Sequence, residues 1–329
     1  MDLPIKAKPY QHQKIAFNFA LEKLETNECC ALLMDMGLGK SLTSIAIVGE
    51  LFKEEKILKV LVVCPTSIIS VWEEEFEKFA DYEYNIESLT GSTMSKRKEK
   101  LKSLFYKQGL KVAIINYEAT WRMEKEINIY KPDIIICDES QKIKNPSAAQ
   151  SKTMHRLGVK AKYRIILTGT PVQNSPMDVF SQWKFLDPNI FGLSFYAFRN
   201  HYAVMGGYYN HQIIRFKNMD ELTSKAHSIA YRITKEEALD LPDQIFLNRY
   251  CELESTARIT YDKVAKESYA ELMDGEITAT NILTKLIRLS QISGGHVKDD
   301  DGRIQVISKA KLNELKDIME DVIIDNRKK

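Results

Sequence analysis

The chain has 329 residues, of which 44% are hydrophobic and 28% charged, so it can bury a substantial core and is neither disordered nor fibrous. Its 47 basic and 45 acidic residues nearly cancel to a net charge of +2, which excludes a uniformly basic nucleic-acid binder. Any binding of nucleic-acid phosphates would have to come from local basic patches. No apolar run of about 18 residues and no signal-peptide pattern occurs, so we expect an intracellular, cytoplasmic protein without membrane contact, a nuclear location being left open. The cysteines lack metal-ligand spacing and predict reduced core residues without zinc. They are Cys29, Cys30, Cys64, Cys137 and Cys251.

Residues 8–24 predict the first helix, because their apolar side chains recur at helical spacing. Two glutamines, Gln11 and Gln13, lie in its first turn. A glutamine amide just ahead of a phosphate-binding strand could read the edge of an adenine ring with its donor and acceptor. The alternative is that both are exposed polar side chains.

Residues 29–47 predict a buried strand, a phosphate-binding loop and a helix, in that order. The glycines of the loop let backbone N–H groups approach phosphate oxygens, its lysine can reach the β- and γ-phosphates, and its serine hydroxyl can bind Mg²⁺. Met34 occupies the first glycine position of the pattern G-x-x-x-x-G-K-[ST], so an ordinary glycine-rich turn is the alternative. We predict a nucleoside triphosphate and Mg²⁺ site here. Its residues are Met36, Gly37, Leu38, Gly39, Lys40 and Ser41.

Further strands alternate with helical patterns, which predicts an α/β fold with a mostly parallel sheet covered on both faces. The strands are expected at residues 59–64, 86–90, 112–115, 133–137 and 164–167. Pro65, Thr66 and Ser67 follow the second strand, where hydroxyls and backbone amides suit an oxyanion or a backbone phosphate. Trp72 begins an aromatic helix face that we interpret as core. Residues 95–107 hold six basic side chains and one acidic, which we interpret as a solvated helix face.

Asp138 and Glu139 end the strand at 133–137 and predict the second half of a hydrolytic site. An aspartate there can hold Mg²⁺, and a neighbouring glutamate can orient and deprotonate the attacking water. An acidic loop start is the alternative. The strand at 164–167 runs into Thr168, Gly169 and Thr170, whose hydroxyls could contact either the γ-phosphate or the carboxylate loop.

After residue 174 the pattern becomes mainly helical. Helices are expected at residues 177–186, 195–202, 219–230, 254–273, 277–292 and 309–325. Glycines 206 and 207 predict a hairpin, residues 244–253 a strand, and residues 299–302 a turn.

Five stretches of the sequence together identify a family. They are MDMGLGKS, VVCPTSIISVWEEEF, INYE, IIICDESQKIKN and ILTGTPVQN. In order and spacing they resemble motifs I, Ia, Ib, II and III of the Swi/Snf-type ATPases of helicase superfamily two. The earlier stretch KPYQHQK resembles the Q motif of that family, and spacing to Phe17 and Phe19 favours Gln13 over Gln11 as its glutamine.

This resemblance implies a P-loop RecA-like three-layer fold and a particular domain layout. Residues 1–230 would form the ATP-binding lobe, with a helical protrusion at about 175–230. Residues 231–329 would form a linker and helices leading to a second lobe. No Q-x-x-G-R-x-x-R motif occurs, so the arginines of that lobe would come from a C-terminal continuation, which we favour, or from a separate chain. Alone, the 329 residues are expected to bind ATP and Mg²⁺ and to hydrolyse ATP very slowly.

The resemblance also implies an activity, namely DNA-stimulated hydrolysis of ATP to ADP and phosphate by a translocase on the double-stranded DNA backbone. A strand-separating DNA or RNA helicase and a nucleotide-regulated DNA-binding module with vestigial hydrolysis stay open as alternatives. Gln141 stands where many relatives have histidine, so an amide that cannot titrate would couple ATP to motif III. The catalytic residues implied are Lys40, Asp138, Glu139 and Gln141, and Ser41 and Asp138 would bind the metal. The implied nucleic-acid contacts are Pro65, Thr66, Ser67, Asn116 and Tyr117, and the coupling residues are Thr168, Gly169 and Thr170.

Overall fold

The computed structural model describes residues 3–91, 93–207, 212–240, 247–273, 279–298 and 302–326. The chain divides into two compact units, Met1–Leu241 and Pro242–Lys329. Among the described residues, no helix has both the length and the apolar character that crossing a bilayer requires.

The first unit is built on a parallel sheet, and every strand that the alternating pattern predicted is present in it. The strands in its described residues, including a separate hairpin, are β1 (Cys29–Met34), β2 (Lys59–Cys64), β3 (Tyr84–Ser88), β4 (Leu110–Asn116), β5 (Ile134–Asp138), β6 (Tyr163–Thr168), β7 (Ala203–Gly206), β8 (Gln212–Phe216) and β9 (Ala230–Ile233). Seven of them form one sheet in the spatial order β3-β4-β2-β5-β6-β1-β9, and all neighbours run parallel.

Helices cover both faces of this sheet, as the strand–helix alternation predicted. They are α1 (Gln11–Thr26), α2 (Lys40–Lys53), α3 (Ile69–Phe79), α4 (Met94–Ser103), α5 (Tyr117–Thr120), α6 (Glu124–Tyr130), α7 (Ala149–Gly158), α8 (Val179–Leu186), α9 (Pro188–Phe191), α10 (Phe195–Tyr202), α11 (Met219–His227) and α12 (Lys235–Ala238).

Strand β1 shows why the central strands are apolar throughout. Successive side chains of a strand point to opposite faces, and here both faces are buried. One set packs into the core under α1, α2 and α3, and the other set into the core under α5 to α8. The first set is Cys30, Leu32 and Met34, and the second is Cys29, Ala31 and Leu33.

Helices α8 to α11, with the hairpin strand β7, pack around a small core of their own. Its buried members are Met177, Phe180, Phe198, Tyr202, Ala203 and Leu222. Strands β7 and β8 pair antiparallel as the expected hairpin, and residues 208–211 between them lie outside the described residues.

Strand β9 was not predicted from the sequence. It returns the chain to the sheet beside β1, with Ile233 in register with Met34. Four residues are too few to show a strand periodicity, because so short a segment can match a strand or a helix pattern by chance. Strand β9 crosses residue 230, where the sequence analysis placed the end of the first lobe, and the first compact unit continues to Leu241.

The second unit contains the three long helices expected after residue 250. They are α13 (Ser255–Met273), α14 (Ala279–Ser293) and α15 (Ala310–Asn326), together with the antiparallel pair β10 (His296–Lys298) and β11 (Ile304–Val306). Residues 247–253 form no strand, which corrects that part of the expectation for 244–253. Residues 244–246 and 299–301 lie outside the described residues.

Candidate active site

The carboxyl ends of the parallel strands meet at one edge of the sheet, where ligands of open α/β sheets bind. The loops along this edge contain nearly every residue that the motifs singled out. The phosphate loop follows β1, Pro65, Thr66 and Ser67 follow β2, and Asn116 and Tyr117 lie at the end of β4. Asp138 and Glu139 lie at the end of β5. Thr168 ends β6 and is followed by Gly169 and Thr170, and Thr234 and Lys235 follow β9.

The phosphate loop turns from β1 into α2 through two glycines in the left-handed region, Gly37 with φ 85° and Gly39 with φ 86°. A Cβ on Gly39 would stand 2.3 Å from Nε2 of Gln13, so a side chain there would be strained in conformation and would displace the Gln13 amide. Met34, at the first glycine position of the pattern, is fully buried in β1. The strand therefore accommodates a large side chain where the usual pattern has none.

Lys40 lies at the start of α2 and folds over its own loop. Its Nζ donates to the carbonyl oxygens of Met34 at 2.8 Å and Asp35 at 3.3 Å. Burial lowers the pKa of Lys40, and the carboxylates of Glu139 and Asp138 act in the opposite direction. The phosphate-loop lysine and the two carboxylates after β5 therefore belong to one electrostatic site.

Helix α1 is hydrogen-bonded to the phosphate loop through side chains of its first turn. The Gln13 side chain accepts from the Tyr10 backbone N–H at 2.9 Å and donates to the Leu38 carbonyl at 3.1 Å, while Gln11 is exposed. His12 Nε2 also lies 3.0 Å from the Leu38 oxygen, which can only accept, so this nitrogen is the donor. Sequence reasoning missed His12, because a single histidine in a helix carries no pattern. Both polar ends of the Gln13 amide are engaged inside the chain.

Asp138 is held by three elements in a buried position. Its Oδ2 accepts from Trp72 Nε1 at 2.9 Å and its Oδ1 from the Glu139 backbone N–H at 2.9 Å. The Tyr117 hydroxyl donates to the Asp138 carbonyl at 2.7 Å. Burial raises the pKa of the Asp138 carboxyl to about 6, against the Trp72 hydrogen bond, which favours the charged form. Trp72 is in the core, as expected, but it also orients the acid.

Glu139 is connected to the loop after β6 through Gln141. Glu139 has a left-handed backbone with φ 52°, and its Oε2 accepts from Gln141 Nε2 at 2.5 Å. Gln141 Oε1 in turn accepts from the Thr168 hydroxyl at 2.9 Å, and that hydroxyl accepts from the Thr170 N–H at 3.0 Å. Of the two partners considered for these hydroxyls, Thr168 therefore contacts the carboxylate loop.

Gly169 brings the same loop against the phosphate loop. A Cβ on Gly169 would stand 3.3 Å from the Met34 carbonyl oxygen and 3.5 Å from Asp35 Cα. Since such a contact is tighter than ordinary packing, any larger residue would push the two loops apart. Motifs I, II and III of the sequence thus form one contiguous site.

The side chains at this edge fit Mg²⁺ that is bound partly by substrate phosphates. They do not fit a metal ion whose ligands all come from the protein. In the described part of the chain, no three His, Cys, Asp or Glu side chains are grouped to bind a metal ion. Mg²⁺ is usually bound by one or two protein oxygens together with substrate phosphates. The buried Asp138 carboxylate and the Ser41 hydroxyl are oxygen donors of that kind, and Ser41 Oγ has no hydrogen-bond partner among the described residues.

The residues expected to face nucleic acid differ in exposure. Thr66 and Ser67 are exposed in a short 3-10 helix after β2. Tyr117 is fully buried, so its side chain supports Asp138 and does not reach the surface. Asn116 accepts from Arg97 Nη1 at 3.1 Å, beside a pocket of about 140 Å³ that Arg122 also lines.

Most of the basic run at residues 95–107 lies in α4, which ends at Ser103, and some of its charges are engaged in the fold. Lys98 pairs with Glu126 at 2.6 Å, and Lys100 Nζ donates to the Ser88 carbonyl at 2.9 Å. The helix is therefore more than a solvated face, since its cations fix it to neighbouring elements.

Residues 10–295 match the sequence model of a family described as the SNF2-related domain. The human DNA repair and recombination protein RAD54B is 34% identical over 194 residues, which cover 56% of this chain and 20% of the relative. The RAD54-like protein of Drosophila persimilis is 29% identical over 254 residues, covering 74% and 31%. The Sulfolobus solfataricus SWI2/SNF2 ATPase core, solved in complex with double-stranded DNA, matches with a TM-score of 0.60 and 28% identity. That match covers 99% of this chain and 66% of the Sulfolobus chain, so the present sequence is shorter than each of these proteins.

Proposed function

Because this chain belongs to the SNF2-related domain family, we propose that it is the ATP-binding and hydrolysing lobe of a double-stranded-DNA-dependent translocase. The reaction is hydrolysis of ATP to ADP and phosphate. One observation carries the proposal: Lys40, Asp138 and Glu139 lie at the same edge of the sheet, where both carboxylates act to raise the pKa of Lys40. A nucleotide-binding module with vestigial hydrolysis would still need the lysine, but it would not need the glutamate.

Each side chain at this edge has a role that its surroundings support. Lys40 would exchange the carbonyls of Met34 and Asp35 for phosphate oxygens, which are stronger partners for an ammonium. Ser41 and Asp138 are the residues that would hold Mg²⁺, and the metal, when bound, would supply positive charge beside the phosphates.

Glu139 is the residue that we assign to the attacking water. Its second carboxylate oxygen is held by Gln141, so the carboxylate is oriented before any water is activated. Movement of the loop carrying Thr168 would shift Gln141 and with it Glu139. This is the route by which we propose that nucleotide state and the loop after β6 are coupled.

The nucleic-acid path is proposed to cross Thr66 and Ser67 and the region of Asn116. Hydroxyls, backbone amides and the Arg97 guanidinium beside Asn116 suit phosphate oxygens. A SWI2/SNF2 ATPase core with 28% identity was solved with double-stranded DNA, which supports duplex as the ligand.

A second RecA-like lobe is proposed to complete the catalytic site. The paired arginines of Q-x-x-G-R-x-x-R have no counterpart in the 329 residues, and such arginines raise turnover by about 10³ to 10⁵. The chain alone should therefore bind ATP and Mg²⁺ while hydrolysing ATP very slowly.

The test compares phosphate release by this chain and by a longer protein with both lobes, each with duplex DNA, single-stranded DNA, RNA or no nucleic acid. We expect duplex-stimulated turnover only with both lobes. Rapid duplex-stimulated turnover by the 329 residues would refute the single-lobe proposal, and stimulation by RNA alone would refute the duplex translocase. Nucleotide binding without turnover in any combination would favour the regulatory module.

A further inference from the structure

Lys235 lies beside the phosphate loop although about 200 residues separate it from Asp35 in sequence. Strand β9 pairs with β1 and continues that register into the loop, because the Asp35 N–H donates to the Ile233 carbonyl at 3.2 Å. The Lys235 backbone N–H then donates to Asp35 Oδ2 at 3.0 Å. Two hydrogen bonds therefore fix where the Lys235 side chain begins.

The side chain of Lys235 extends over a glycine of the loop. Its Cε stands 4.0 Å from the position that a Cβ on Gly37 would take. Cε, the carbon that carries the ammonium, therefore lies beside the part of the loop whose backbone N–H groups would face phosphate. The residue is partly exposed, so this end is accessible to a ligand.

The ammonium of Lys235 has no anionic partner in the described part of the chain. None of the described carboxylates lies within 4.0 Å of it, and it donates no side-chain hydrogen bond there. The nearby Glu237 is engaged elsewhere, since it accepts from the Thr234 N–H at 2.8 Å and lies 3.8 Å from Arg232 Nη1. Within the described residues, Lys235 is therefore a cation beside the loop whose ammonium forms no ion pair.

Lys235 adds a second positive charge to a loop that already holds Lys40. Two positive charges in a partly buried site repel each other, and an anion bound between them offsets this repulsion. The polyphosphate of a nucleotide is such an anion.

We propose that Lys235 is a second phosphate-binding cation of the loop, whose ammonium contacts the polyphosphate of the bound nucleoside triphosphate. This assignment rests on the proposed function, because it names a further contact of the same nucleotide site. Lys235 does not replace Lys40, which lies inside the loop at the start of α2. It approaches from β9, the strand on the outer side of β1.

The test measures binding of ATP and ADP with Mg²⁺ by titration calorimetry for the 329-residue chain and four variants. Lys235→Met keeps the unbranched stem and removes the charge, whereas Lys235→Arg keeps a charge. Lys40→Ala reports on the nucleotide site itself. The matched control is Lys162→Met, because Lys162 is exposed and directly precedes β6, at the opposite edge of the sheet.

We expect Lys235→Met to weaken ATP binding about tenfold and ADP binding less, as for loss of one hydrogen bond to a charged group. The difference from wild type should shrink with salt, because the site is partly exposed. Lys235→Arg and Lys162→Met should stay within about threefold of wild type. Thermal melting of each variant checks that the fold is retained.

Wild-type affinity for Lys235→Met together with lost binding for Lys40→Ala would overturn the assignment and leave the proposed function intact. Lys235 would then only pack its stem over Gly37. Wild-type affinity for both variants would instead refute the nucleotide site itself. A loss for Lys235→Met that salt did not change would also overturn the assignment, since it would not be electrostatic.

Discussion

The Thr168 hydroxyl donates a 2.9 Å hydrogen bond to the side-chain oxygen of Gln141, and the Gln141 amide donates onward to Glu139. Gln141 thus uses one end of its amide for each loop. An imidazole at this position could change its charge near neutral pH, whereas an amide cannot.

Replacing either partner of this bond should uncouple the two loops. We expect Thr168→Val and Gln141→Leu to bind ATP nearly as wild type and to lose most DNA stimulation of hydrolysis, because Glu139 is no longer linked to the loop after β6. Phosphate release by the two-lobe protein measures this. Thr170→Val is the control, since Thr170 joins the network through its backbone N–H. Full DNA stimulation in Gln141→Leu would contradict the coupling route.

Substitutions of Lys40 and Glu139 should cause different defects, one in ATP binding and the other in turnover. We predict that Lys40→Ala weakens ATP binding by about 10- to 100-fold, the loss expected for a charged hydrogen bond to phosphate. Glu139→Gln should bind ATP normally and lose about 10² to 10⁴ in turnover, because general-base catalysis is needed only when water attacks. The glutamine can still accept from Gln141. Binding titrations and single-turnover hydrolysis separate the two defects, and wild-type turnover in Glu139→Gln would disprove its role.

Alanine substitutions at Gly39, in the phosphate loop, and at Gly109, outside it, test the packing around Gly39. Both have positive φ, 86° and 75°, so alanine at either costs about 1–2 kcal/mol in the free energy of unfolding. Only at Gly39 would the new Cβ also meet Gln13 Nε2, whereas nothing lies within 4 Å at Gly109. We expect Gly39→Ala to lose ATP binding and to be the less stable variant in urea unfolding. Equal effects at both sites would show that the Gln13 contact is unimportant.

His155 should make the stability of the chain depend on pH. Burial, with the nearby charges of Lys184 and Arg156, lowers its pKa to about 4, despite its hydrogen bond to the Ser181 carbonyl. The unfolded chain takes up the proton near pH 6.5, so this contribution is complete above that pH and is lost as pH falls to about 4. The loss amounts to about 2–3 kcal/mol.

The comparison for His155 is urea unfolding of wild type and His155→Gln at pH 7.5 and at pH 4.5. Glutamine can donate to Ser181 but does not titrate. Wild type should lose more stability between the two pH values than the variant. An equal loss in both would place the titration in other residues.

DNA binding should depend on Thr66, Ser67 and Arg97 without regard to base sequence. Alanine at each position should weaken binding to unrelated duplexes by the same factor, because backbone contacts carry no sequence information. The affinity should also fall steeply with salt. Fluorescence anisotropy with two duplexes at several salt concentrations measures both, with Lys162→Met again as control. Strong preference for one duplex, or binding that persists in high salt, would contradict the proposed path.

Much of the first unit could be predicted from local sequence. Strands such as β1 are buried on both faces, so their composition alone marks them, and the loops after them carry compact patterns of glycine, lysine and carboxylates. The parallel order then brings Lys40, Asp138 and Thr168 to one edge, because the carboxyl ends of parallel strands lie together.

Other parts of the site depend on contacts between residues that are far apart in sequence. Trp72 lies 66 residues from Asp138 and orients its carboxylate, and His12 lies 26 residues from the Leu38 carbonyl that it binds. Neither residue stands in a pattern that names its partner. An aromatic helix face predicts burial equally well whether or not the indole N–H meets an acid.

Strand β9 shows the same limit most clearly. The sequence by itself determined the α/β architecture, the phosphate loop and the carboxylate pair, since each is written in neighbouring residues. Only the tertiary structure decided that the chain, after the helical extension, pairs four residues with β1 and sets Lys235 over Gly37. The physical reason is that strand pairing is a contact between distant segments, and a four-residue strand carries too little periodicity to specify its partner.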